Sequence, residues 1–485
     1  MFSKKKLIDY ISIFFILSLW FCIDTNFENI SAFGYVYTSK FFSIYDISIK
    51  HIYFSIRTLS PFLFFIILFF LSYFYQFKIE FLTKNKALNF ILIILYINFL
   101  FQIVGLLTTE NHINNSYYIF VSIFSILSLS NLYNKGLERI NYLISLTVLS
   151  IVVLFFGFLS YKWFLTTPYL QMYGTYPHVF SSLEDFSSNV IRSSGLSRSV
   201  MIILIPLFYL ILIDKIKLFF LIPYSKLVYL VPYLILSSII YLAQSRTVVL
   251  FLILFSFFSV FYFLWDKTKK YKIQKFFILI MLPIIFFNSL IFIKQEINTK
   301  FYTDKTKFFI VKIYNDKFGT PEKPCLSLHP QCLSLFELIE LEKKEKFTAI
   351  RKLDPNTFTS HRYSYWKEII LKSEKPITGY GPLGDRYLIK QNSHNILAYS
   401  YASGGIVSTI LMLILIIRYT YLCLFLTFIK KISLQKKNIF VFSSIFTISF
   451  LFFRGIAEVS IAVFSIDLLV FLSCIAICEK FKVQK

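Results

Sequence analysis

Residues 403–427 read SGGIVSTILMLILIIRYTYLCLFLT. Only Arg418 interrupts an otherwise uncharged run. About 17–25 such residues suffice to cross the hydrocarbon core of a bilayer as one helix. In lipid the backbone must satisfy its own hydrogen bonds, so a run of this kind reads as a helix. The pattern recurs outward from here. Segments 7–23, 59–76, 87–106, 116–132, 140–160, 199–213, 224–243, 247–264, 276–293, 438–453 and 458–477 are apolar at similar length, which predicts about twelve transmembrane helices. The whole chain of 485 residues is 57% hydrophobic and 20% aromatic, above the roughly 45–50% apolar content of soluble domains. SKKK precedes the run at 7–23, as it would in a signal peptide, but no small-residue cleavage site follows. An uncleaved first helix is the expectation.

The net charge of +24 raises nucleic acid as a partner until the charges are placed. Basic clusters fall at Lys4–Lys6, Lys78/Lys84/Lys86, Lys135/Arg139, Lys215/Lys217, Lys267–Lys275, Lys430–Lys437 and Lys480–Lys485. These are alternate crossings and the chain ends. The intervening connections 107–115 and 244–246 carry almost no lysine. This asymmetry is the positive-inside signal of a multi-pass protein with both termini cytoplasmic. Membrane lipids are then the expected surroundings, and no nucleic acid is expected, because the charge is not gathered on one face.

Three longer segments fall on the outer side, at 24–58, 161–198 and 294–402. The chain therefore divides into 1–293, transmembrane helices 1–9 with short loops; 294–402, one large and mainly helical periplasmic loop; and 403–485, helices 10–12 with a cytoplasmic tail. Within the large loop, 333–347 and 363–372 have helical spacing, the second ending before Pro376.

No metal motif, Walker loop or nucleophile elbow is present, so no cofactor is expected. GYGPLG (379–384) superficially matches a dinucleotide fingerprint, but it lacks the flanking strand and helix and reads as a turn. Cys325 and Cys332 flank LSLHPQ in the outer loop, where an oxidising compartment favours a disulfide. A metal site with His329 is the weaker reading, since one His and two Cys fall short of four ligands. Arg454 and Glu458, spaced i,i+4, suit a structural ion pair. Asp467 has the placement to pair with another helix.

The remaining chemistry lies in Arg192, Arg246, Arg362 and His394, all on the outer side. Arg246 has almost no loop into which to escape, and a guanidinium at the centre of the bilayer costs about 3 kcal/mol on insertion scales. Such a charge calls for a partner or an anionic ligand. Arg362 lies four residues before Trp366, on the same helix face. His394 sits in QNSHNILAYSYASGG, at the lip of the apolar run with which this reading began.

Together these stretches resemble the O-antigen ligase and polymerase superfamily. RSSGLSRS (192–199) is similar to its Arg-x-x-Gly turn, and QSRTVVL (244–250) to its Ser-Arg-Gly segment, with Thr247 in place of the glycine. HRYSYWKEIILKSEKPITGYGPLG (361–384) resembles its Arg…Trp…Pro…Gly-x-Gly run, and SHNILAYSYASGGIVSTI (393–410) the His-Asn…Gly ending of its periplasmic loop. The glutamate that the family often carries shortly before these glycines is missing. The resemblance covers about 190–427. It implies a metal-independent glycosyltransferase of the bacterial inner membrane, active at its periplasmic face in lipopolysaccharide biosynthesis. The donor would be a glycan on undecaprenyl pyrophosphate, and the acceptor a hydroxyl of lipid A–core. Arg192, Arg246 and Arg362 would bind the pyrophosphate, with Trp366 and Asn395 also at the substrate. His394 would be the general base, with Arg246 and Arg362 stabilising the leaving group. A polymerase, whose acceptor is a second lipid-linked glycan, shares these motifs. A lipid-linked glycan flippase is the rival from another class; it predicts internal repeats and charges lining a central cavity.

Overall fold

The computed structural model describes residues 66, 70, 73, 82–109, 123, 126, 130, 133, 136–166, 194–213, 224–242, 245–265, 267, 269–290, 362–390, 392–432, 435–459, 461 and 466–483. Among them the chain is all-helical, with no strand. Five helices are long and apolar enough to cross a membrane: Lys86–Leu107, Leu196–Ile213, Lys272–Leu290, Ile396–Ile429 and Lys436–Gly455. Val228–Tyr241 and Thr247–Phe263 are shorter apolar helices. Segments 59–76 and 116–132 are helical at Ile66, Phe70 and Tyr73 and at Ile123, Ile126 and Ser130. Segment 7–23, the helix expected at 333–347, Arg192, His329, Cys325 and Cys332 lie outside the described residues.

In chain order the helices are α1 (Lys86–Leu107), α2 (Glu138–Thr166), α3 (Ser194–Ile213), α4 (Tyr224–Leu242), α5 (Arg246–Phe263) and α6 (Lys269–Phe276). The last runs on through a π-helical turn at Phe277–Met281. α7 (Arg362–Lys372), α8 (Gly384–Ile389), α9 (Ile396–Leu424), α10 (Ile439–Gly455) and α11 (Ile466–Val483) follow. Within the final apolar segment, 458–477, Glu458 and Val459 lie in a bend after α10, and α11 is described from Ile466 onward.

α10 is the centre of the packing and touches α3, α5, α9 and α11. Residues Val441 to Ile448 are buried without a break, so this helix has no lipid-facing side there. Its Ser443, Ser444 and Thr447 are small enough to let neighbours approach closely. Aromatic rings fill the rest. Phe442 and Phe446 lie 4.4 Å apart, and Phe255 lies 4.6 Å from Phe446 and 4.4 Å from Phe208. The outer helices α1 and α9 behave differently, exposing Ile93, Leu100, Ile410 and Ile417 as a lipid-facing helix would.

The two ends of the helices differ in chemistry. At one end lysines bridge neighbours: Lys480 Nζ reaches Glu138 at 2.5 Å, and the Lys275 ammonium donates to the Ile211 carbonyl. Tyr209 Oη donates to Gln435 O at 2.7 Å at the same end. At the other end arginines, carboxylates and His394 gather.

That second end is organised by a break in α9. Gly404 and Gly405 leave helical geometry, Gly405 with φ +66°. A helix broken this way opens backbone groups that lipid cannot satisfy. The turn at 376–381 satisfies them. Tyr380 N donates to Ala402 O at 2.9 Å, Gly381 N to Ser403 O at 2.8 Å, and Ile406 N to Pro376 O at 2.7 Å. The contact is close enough that a Cβ on Gly379 would lie 2.6 Å from Gly404 N. GYGPLG is thus a turn, as its sequence suggests, and its glycines seat it on the kink.

Candidate functional site

His394 lies between the docked turn and the start of α9. Its φ of +50° is in the left-handed region, which costs a residue with a Cβ about 1–2 kcal/mol. Neighbouring side chains hold it there. Asn392 Oδ1 accepts from His394 N at 2.9 Å. Asn395 then caps α9, its Oδ1 accepting from Leu397 N at 2.9 Å and Ala398 N at 3.0 Å. From the other side, Asp385 in α8 accepts from Ser393 N at 2.8 Å and from Arg386 N at 2.9 Å. Burial pushes the Asp385 carboxyl above its ordinary value of 3.8, and these hydrogen bonds with the Arg386 charge offset only part of that rise.

α7 completes the frame. Trp366 Nε1 donates to Ser393 O at 2.8 Å, which ties the helix to the residue before His394. Arg362, one turn earlier, points a guanidinium at the same place. Its Nη2 is 3.7 Å from Glu458 Oε1, and Glu458 Oε2 is 3.3 Å from His394 Nδ1. One carboxylate therefore meets both predicted residues. Burial acts to raise the Glu458 carboxyl. The hydrogen bond from His394 and the charges of Arg454, His394 and Arg362 outweigh it and hold the group below its ordinary value of 4.5. A carboxylate is acceptor-only, so the contact with Glu458 is made by a proton on His394 Nδ1.

A second layer lies deeper. Arg454, at the end of α10, bonds Asp467 of α11 at 2.6 Å, and Arg198 of α3 lies 3.2 Å from the other Asp467 oxygen. The exposed fraction of the side chains sorts the two layers: 35% for His394, 27% for Arg362 and 17% for Glu458, against 15%, 7% and 1% for Arg198, Arg454 and Asp467. The first three reach the surface in part, and the last two are buried.

The expected site residues fare differently. His394 and Arg362 come together. Arg246 is the first residue of α5, and its side chain lies outside the described residues, as does all of Arg192. Trp366 and Asn395, read as substrate contacts, have their donors engaged inside the protein; Asn395 Nδ2 donates to Ile456 O at 3.1 Å. The Arg454–Glu458 pair is corrected. α10 ends at Gly455, so the two residues do not share a helix face, and Arg454 turns to Asp467 instead. Asp467 does pair with other helices. Glu458 and Arg198 are the members of this charged cluster that sequence reading did not place there. Glu458 was visible as an acid beside an apolar run; Arg198 stands in the same RSSGLSRS stretch as Arg192.

Among the described residues no group of three or more His, Cys, Asp and Glu could hold a metal ion. Comparison with protein-family models, with curated proteins and with solved structures returns no match.

Proposed function

We propose that this chain is an O-antigen ligase-like glycosyltransferase of the bacterial inner membrane. It moves a glycan from undecaprenyl pyrophosphate to a sugar hydroxyl of lipid A–core at the periplasmic face. The observation that carries this reading is the His394–Glu458–Arg362 contact at one polar end of an apolar helical bundle. A histidine whose Nδ1–H is held by a carboxylate is an oriented base, with Nε2 left to accept a proton. The positive-inside pattern of the lysines supports an outward orientation for this end.

In the reaction as proposed, the acceptor hydroxyl gives its proton to His394 Nε2 as its oxygen attacks the anomeric carbon. The bond from that carbon to the pyrophosphate oxygen breaks, with inversion. Glu458 stabilises the imidazolium that forms. The remaining donors of Arg362, joined by Arg246 and Arg192, offer forked, charge-assisted hydrogen bonds to the leaving pyrophosphate. Release of that anion drives the transfer without a nucleotide.

The test pairs genetics with variants. Deleting the gene and resolving the lipopolysaccharide on a gel separates the acceptors. Bare core with accumulated lipid-linked polymer supports the ligase; core bearing a single repeat unit supports a polymerase instead. An unchanged pattern, or full glycan transfer in membranes by both His394→Ala and Arg246→Ala, overturns the reading.

A further inference from the structure

We propose that Asp467 is a positioning residue that holds Arg454 away from Glu458, so that Glu458 is free to orient His394. The inference rests on the reading of His394 as the base. It starts from a competition. Arg454 is in the last turn of α10 and Glu458 lies four residues on, past the helix end, where it already feels the Arg454 charge. Left alone, a guanidinium and a carboxylate so close in a low-dielectric site would pair. They do not, because Asp467 takes Arg454 in a short charge-assisted bond of 2.6 Å.

The groups form a row of alternating charge: Arg198, Asp467, Arg454, Glu458 and then Arg362 with His394. They come from α3, α11, α10, the turn after α10, α7 and the loop before α9. Every element that presents a charge to Glu458 is in this row, for Arg198 also feels Glu458. Each interior member has an opposite charge on both sides. Removing the Asp467 charge leaves Arg198 and Arg454 with Glu458 as the nearest carboxylate of the row. Arg454 then takes Glu458, and His394 loses the acceptor that fixes its tautomer.

The tautomer is the readout, because a merely structural role for Asp467 would not move it. The chain has six histidines, so 15N-histidine labelling with His394→Gln for assignment reports the ring directly. Purified, full-length protein in nanodiscs at neutral pH is expected to show the Nδ1–H form at His394. Asp467→Asn is expected to shift it toward Nε2–H and to lower kcat by about tenfold or more, with the donor KM little changed. Adding Arg454→Gln removes the competitor and is expected to restore both. If Asp467→Asn does not fold, Arg454→Gln alone serves: it is expected to keep the wild-type tautomer. An unchanged tautomer in Asp467→Asn, no restoration in the double variant, or loss of the Nδ1–H form in Arg454→Gln alone overturns the proposal. A tautomer that shifts and is restored, in a protein whose wild type transfers no glycan, upholds the positioning role and overturns the proposed reaction.

Discussion

Glu458 does opposite electrostatic work to Asp385, and acid should reveal it. The folded state holds Glu458 below 4.5, so its stabilising contribution is complete above that value and is lost as pH falls through the lower folded one. Asp385 is raised above 3.8, so its protonation favours the fold; that contribution is full below 3.8 and is lost as pH rises through the raised value. Thermal melts in detergent across pH should therefore show the gap between wild type and Glu458→Gln closing on acidification. The gap for Asp385→Asn should change in the opposite sense. At Trp366, replacement by Phe keeps the ring and strands the Ser393 carbonyl, at an expected cost of about 1–3 kcal/mol for an unpaired buried group. Faster amide hydrogen exchange at Ser393 and His394 is the measurement. His394 and Arg362 were legible as single residues, because a polar cluster at the lip of an apolar run invites attention. Their shared partner was not. Glu458 lies 64 positions from His394, and no local spacing links them.

At the scale of elements, apolar run length located the helices of the described residues, five of them long and apolar enough to cross a membrane. It said where the chain is greasy but not where a helix stops. That is why Arg454 and Glu458 looked like partners: an i,i+4 pair needs an unbroken helix, and α10 ends between them. The diglycine was readable as a bend, since only glycine tolerates such a conformation cheaply. What docks there was not readable, because GYG and GG are 23 residues apart and meet only through backbone atoms. Gly405 is the sharpest test of that junction. A Cβ there would overlap the Ile377 carbonyl at a positive φ, where the backbone penalty alone is about 1–2 kcal/mol. Gly405→Ala is expected to lower the melting temperature and to abolish glycan transfer together. A transfer-competent variant with an unchanged melting curve would contradict the role given to the kink.

For the whole molecule, the gathering of the basic loops at the end away from the His394–Glu458 cluster, which has lysines of its own on α7 and α8, is the feature with most reach. It was visible in the sequence as a rhythm of basic loops, and the packing joins those loops through Lys480–Glu138 and Lys430–Phe481. Orientation can be tested directly. In a cysteine-free background, Tyr387→Cys at the site end should react with a membrane-impermeant maleimide on intact cells, and Lys437→Cys at the lysine end only after lysis. The reverse pattern would turn the molecule over and end the proposed reaction. The docked turn also says something about how the fold is completed. Without that turn the carbonyls of Ala402 and Ser403 and the amide of Ile406 stand open at the break, and the groups that close them come from Tyr380, Gly381 and Pro376, outside the apolar run. The kink is thus a latch: until it shuts, α9 is an unfinished helix and His394 has no fixed place.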